Sequence, residues 1–252
     1  FIRYKQLLPH QIYPKSIITL PFDGVVDEYN GHLLVGLNNY LSESDHPEFG
    51  SSYQYIRHRF DERFITMDGM ELWFSNTLLG YNDNRNQNFL DHLIFKGKIM
   101  YLMYICSPSS NLSDIMRYSY EDIKWCKANQ FNIWNEVLKL NIMYDYNYDN
   151  FRTFFESAPF TKGMPRESPS RLGYWIGYQI VRSYMKTNAE IDFRELWFNI
   201  DSKRILLESK YQPEINKKKL PEVSIFRQYW WLIFIFLFVL CVSYLLYFNK
   251  II

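Results

Sequence analysis

Alanine is nearly missing from this 252-residue chain: Ala128, Ala158 and Ala189 stand against 41 phenylalanines and tyrosines. Phe, Tyr, Ile, Asn and Lys have AT-rich codons and Ala does not, so the imbalance reads as the composition of an AT-rich genome, bacterial or protist. It carries no chemistry. Cysteine is as scarce, with Cys106, Cys126 and Cys241 odd in number and without a CxxC pair. A disulfide framework and a cysteine zinc site are both excluded on that count. Charge of one sign is lacking too. Lys plus Arg total 28 against 27 acidic residues, a net charge of +1, which cannot supply the basic face that nucleic-acid binding draws on. No nucleic-acid partner is expected.

Catalytic signatures are absent as well: there is no Walker loop, no GxGxxG and no GxSxG elbow. All five histidines, His10, His32, His46, His58 and His92, fall in the first 92 residues, and none forms an HxxxH pair. A helical zinc site needs two histidines one turn apart, so that both rings face one ion, and a glutamate beside the metal-bound water. The histidines therefore read as structural or surface residues, and no metal or cofactor is predicted. Asp61 with Glu62, and Asp145 to Asp149, lack calcium-loop spacing and read as solvated loops.

What is present is a folded chain, 48% hydrophobic and 22% charged, with one long apolar run. Residues 229–248, YWWLIFIFLFVLCVSYLLYF, contain no charge, proline or glycine, and a helix of that length spans about 30 Å of hydrocarbon. This predicts a single transmembrane helix in a lipid bilayer, anchored by Trp230 and Trp231 at one interface and Tyr244 and Tyr247 at the other. Lys210, Lys217, Lys218, Lys219 and Arg227 precede the span and Lys250 follows it. The positive-inside rule then places the large domain on the cytoplasmic side of a bacterial inner membrane, or the matrix side of a mitochondrial one. Because the sequence opens at Phe1, an upstream signal, transit peptide or lipid-bearing cysteine stays an open alternative.

Residues 213–228, polar and with two prolines, read as a linker, and residues 1–212 as one domain. Within it a buried helix is expected from Asn88 to Cys106, stopping before Pro108, and an amphipathic one from Tyr120 to Leu140. A third is expected to begin at Ser168 as N-cap, with Pro169 in its first turn, and to end at Asn188; its Gly173 and Gly177 leave a groove for a close neighbour. Asp192 and Asp201 open two short helices. Strands are expected at SIITL before Pro21 and at GHLLVGL, Gly31 to Leu37. The class is mainly helical α+β with a small sheet. MYDYNYDNF, Met143 to Phe151, is either an exposed aromatic contact patch or a set of buried loop anchors.

The segment APFTKGMPRESPSRLGYWIGYQIVRSYMK, Ala158 to Lys186, closely resembles the carboxyl-terminal signature of the gliding-motility lipoprotein GldB family of Bacteroidota. The likeness runs on through ESKYQP (Glu208 to Pro213) and back through WCKANQFNIW, IFKGKIMYLM, LLVGLNNYLS and YPKSIITLPFDG. It covers nearly all of residues 1–212. The resemblance implies a domain related to zincin-like predicted metallopeptidases, in which one helix carries HExxH and a later helix a glutamate before glycine. Here MELWF keeps Glu71 but has Met70 and Phe74 where histidines would stand, and Lys96 before Gly97 where the glutamate would stand. A thioether, an apolar ring and a cation do not hold zinc.

The expectation is thus a degenerate zincin-like domain followed by one transmembrane helix: not an enzyme, but a single-pass accessory subunit. Its partners would be other subunits of a motility or secretion machine, or of an organellar inner-membrane complex such as a respiratory assembly. The alternative is a membrane-anchored metallo-hydrolase in which His58, His92 and Glu71 converge. A third reading, a glycan-binding module, needs a concave aromatic cleft.

Overall fold

An Asn-Gly pair organises the first part of the chain. Asn30 and Gly31 both take positive φ, 51° and 81°, as a two-residue hairpin turn requires. The turn joins strand β2 (Val26–Tyr29) to β3 (His32–Gly36), with Tyr29 opposite His32 and Val26 opposite Val35. Strand β1 (Ile17–Leu20) pairs with β3 in parallel, Ile17 opposite Leu33, giving the order β1-β3-β2. The computed structural model that provides this geometry describes residues 1–21, 24–40, 61–79 and 87–214. The predicted linker beyond residue 214, the predicted span 229–248 with its anchors Trp230, Trp231, Tyr244 and Tyr247, and the candidate His58 lie outside the described residues. Among the described residues no helix is long and apolar enough to cross a membrane.

The rest of the described chain is mainly helical. Helix α1 (Ile2–Leu7) precedes the sheet, and α2 (Ile65–Leu79), α3 (Phe89–Cys106), α4 (Leu112–Met116), α5 (Tyr120–Ala128), α6 (Gln130–Leu140) and α7 (Tyr148–Phe151) follow it. Then come α8 (Leu172–Thr187), α9 (Phe193–Phe198) and α10 (Ser202–Ser209). The sheet lies on α2, where Gly69 leaves room for Leu33. Helix α3 starts where expected. The Asn88 side chain accepts from Asp91 N and Asp91 from Asn88 N, both at 3.1 Å, a reciprocal capping box.

Helices α3 and α8 form the centre of the core. A Cβ on Gly177 would overlap the Leu93 carbonyl, and one on Gly97 the Gly177 carbonyl, so the two backbones touch. Gly173, one turn earlier, lies against Phe154 and Phe155. The groove expected from Gly173 and Gly177 is filled on both counts.

Two helix boundaries differ from expectation. The run from Tyr120 to Leu140 is two helices, because the Asn129 side chain and backbone N–H both turn back to the Trp125 carbonyl and end the first. The later helix begins at Leu172, not behind Ser168. Thr161 Oγ1 donates to the Pro169 carbonyl at 2.9 Å and Tyr118 Oη to the Ser170 carbonyl at 2.6 Å. The chain is held open until Arg171 turns it with φ 59°. Ser168 Oγ is buried and caps nothing.

The MYDYNYDNF segment is split between the two readings. Phe89 N and Leu90 N, orphan donors at the start of α3, give hydrogen bonds to the Asp145 and Met143 carbonyls. Phe151 is buried against Phe89, while Tyr144, Tyr146 and Tyr148 are exposed.

Candidate functional site

Asp68 and Glu71 are three residues apart on α2 and share one face of the helix. They are the only charged residues of that helix, and two arginines and a lysine partner them. Arg117 closes α4 in the left-handed conformation, φ 52°. From there it clips both carboxylates: Nε donates to Asp68 Oδ1 at 2.9 Å, and Nη1 lies 2.8 Å from Glu71 Oε2. Nη1 also donates to the Ile115 carbonyl at 2.9 Å, and Tyr40 Oη donates to Asp68 Oδ2 at 2.7 Å.

Glu71 is shared more widely. Lys96 Nζ on α3 reaches Oε1 at 3.2 Å, and Arg171 Nη2 approaches Oε2 at 3.6 Å. Arg171 and Lys96 both lie on the Tyr174 ring, 3.9 Å and 5.0 Å from its centroid. The Arg117 side chain is fully buried and that of Arg171 is 4% exposed; the cluster reaches solvent at Glu71, 14%, and Lys96, 21%. Burial opposes the Lys96 charge, but Tyr174 and Glu71 outweigh it and hold the ammonium above its usual range. Burial likewise opposes the charge on Arg171, and Tyr174 and Glu71 again sustain it.

Of the four residues placed at the degenerate site, the fold brings together Glu71 and Lys96. Met70 and Phe74 face the core instead, the Phe74 ring tilted against that of Tyr4 with centroids 4.7 Å apart and Met70 in van der Waals surroundings with Ser107 Oγ at its sulfur. His92, from the alternative site, sits in a cage of Tyr148, Phe151 and Phe155 rings. Burial there pushes its pKa down. Among the described residues no group of three His, Cys, Asp or Glu side chains is arranged to hold a metal ion.

A family model described as gliding motility protein GldB matches residues 1–213. The chain belongs to the GldB family. No curated protein and no solved structure matches it. The GldB match spans all three strands, all ten described helices and the whole Glu71 cluster.

Asp68, Arg117, Arg171 and Tyr174 were not legible as site residues. Asp68 had a signal in its spacing from Glu71, and Arg171 and Tyr174 lie within the segment that carries the GldB resemblance. Arg117 had none, because only the fold brings the end of α4 beside α2.

A second buried cation lies elsewhere on α3. Lys98 is 2% exposed and donates to the Trp197 and Asn199 carbonyls at the end of α9. Burial without a carboxylate partner pushes its pKa down to about 8. Burial also raises the Cys106 thiol to about 11, and raises that of Cys126 well above the usual range, so neither behaves as a nucleophile.

Proposed function

We propose that this chain is a non-catalytic, membrane-associated accessory subunit of a gliding-motility machine, built on a degenerate zincin-like domain. The observation that carries the reading is the state of Glu71. A general base needs a free lone pair directed at a water or substrate proton, whereas Glu71 has Lys96 on Oε1 and Arg117 and Arg171 on Oε2. With Met70 and Phe74 in the core, neither neighbour on α2 offers a metal ligand beside it. Membership of the GldB family supports the motility assignment. The apolar run 229–248 supports attachment to a bilayer, in addition to whatever lipid anchor the family's proteins carry.

The test is native mass and metal content on one detergent extract from the native membrane. The reading predicts a particle much larger than the 30.7 kDa chain, containing other subunits and no stoichiometric zinc. A monomer with one zinc per chain overturns it and restores the hydrolase.

A further inference from the structure

The two edges of the small sheet are built differently. Strand β2 exposes Asp27 and Glu28, charges of the kind that keep an edge from pairing further. Strand β1 reads IITL, apolar or β-branched throughout and without a charge, and its first three residues are exposed. Side chains alternate between the two faces of a strand, yet Ile17 is 56% and Ile18 41% exposed, so β1 is bare on both faces. Its backbone is only half used. Leu33 N donates to the Ser16 carbonyl, with Ile17 opposite Leu33 and Thr19 opposite Val35. In a parallel ladder of that register the bonds to β3 go to Ser16, Ile18 and Leu20. Ile17 and Thr19 therefore turn their N–H and C=O groups outward, and among the described residues no strand takes them.

We propose that this edge pairs with its own copy, β1 antiparallel to β1 of a second chain, about a two-fold axis at Ile18. Only one register serves. Ile17 opposite Thr19 of the second copy, and Thr19 opposite its Ile17, satisfies every outward group at once. A shift toward the N-terminus would need Lys15 N, which already donates to the Gly31 carbonyl at 2.8 Å. A shift toward the C-terminus would need an N–H from Pro21, which has none. In the remaining register Ile18 meets Ile18 and Ile17 meets Thr19, β-branched pairs with no like charges opposed. Two three-stranded sheets become one, and its outer strands are the charged β2 of each copy. The assembly thus closes at two chains instead of growing into a filament. The match of this strand to itself, in hydrogen bonds and in charge, selects a second copy over a foreign strand.

A four-residue strand paired with its copy buries less than a standard interface, so the contact is transient and cross-linking is the readout. The full chain in detergent, with Cys106 and Cys241 changed to Ser and the buried Cys126 kept, receives one new cysteine at a time. In the proposed register the Cα atoms of Ile18 and its copy lie about 4.5 Å apart, within disulfide reach. Ile17 and its copy are diagonal neighbours about 7–8 Å apart, at the limit of that reach. On mild oxidation Ile18→Cys should form a covalent dimer several-fold faster than Ile17→Cys, and Leu20→Cys, farther from the axis, should form none. Thr19→Pro added to Ile18→Cys should remove the dimer, because it deletes an outward N–H and spares the ladder to β3. An unchanged melting midpoint shows that its fold is kept. If that variant does not fold, Ile17→Lys, at an exposed edge position, takes its place. No dimer from Ile18→Cys beyond the level of the parent, equal yields at the three positions, or yields indifferent to the edge-blocking substitution overturn the proposal. In native membranes, an Ile18→Cys chain linked to another protein instead of to its copy overturns the second-copy assignment. None of these results touches membership of a larger complex, which the native mass reads through the other subunits.

Discussion

Arg117 Nη1 lies 2.8 Å from Glu71 Oε2, joining the end of α4 to the middle of α2 across a fully buried guanidinium. Because the same guanidinium holds Asp68, its removal takes the shortest cationic contact from both carboxylates at once. Arg117→Met should therefore lower unfolding stability by about 3–5 kcal/mol. Denaturant titration reads this directly, and a loss below about 1 kcal/mol contradicts the clip.

The α3–α8 contact predicts an equally local result. Gly177→Ala puts a Cβ onto the Leu93 carbonyl, and neither helix backbone can move without the core around it. A loss of about 1–3 kcal/mol, or more, is expected, seen as a lowered melting midpoint with unchanged helix content. An alanine variant as stable as the parent would mean the helices are farther apart.

Lys98 gives a pH signature with a definite sign. In the unfolded chain it holds its proton up to about 10.5, and in the fold only up to about 8. Below pH 8 both states are protonated and the fold bears the full burial cost, about 3 kcal/mol. Between pH 8 and 10.5 the unfolded state binds more protons, so this cost is relieved as pH rises. Lys98→Met, which lacks the charge, should gain on the parent most at pH 7, and the gap should shrink by about 2 kcal/mol at pH 9.5. A gap independent of pH contradicts the assignment.

His92 works in the acid range. Its aromatic cage holds the folded pKa below the usual 6.5, so the unfolded state binds the extra proton as pH falls through 6.5, and stability drops until the lower folded value is passed. An NMR titration should find the His92 midpoint below that of an unfolded-chain histidine. A midpoint at or above the unfolded-chain value would contradict the cage.

The helices were the most legible part of the sequence, because periodicity and caps are local. Asn88 with Asp91 announces α3, and Asp192 and Asp201 cap α9 and α10 as their spacing implies. Strand β2 is not legible in the same way. Its VDEY has exposed Asp27 and Glu28 instead of apolar alternation, although Asn30-Gly31 was a hairpin signal in plain view. Ser168-Pro169 looked like a helix start and is not one, since Thr161 and Tyr118 take the carbonyls of the segment from a distance. The site divides in the same way. Glu71 and Lys96 came from a resemblance, whereas Arg117 and Arg171 reach them through left-handed turns that no spacing rule connects.

Whether Glu71 is kept for structure or for chemistry is answered most directly by the stability of Glu71→Gln, measured with its coupling to Arg117→Met. A structural carboxylate leaves uncompensated buried cations when removed. Glu71→Gln should then lose about 3–5 kcal/mol, and the double-mutant cycle with Arg117→Met should show a coupling of at least about 1 kcal/mol. A Glu71→Gln protein as stable as the parent or more so, uncoupled from Arg117, is the behaviour of a catalytic group retained at a cost to the fold, and would contradict it.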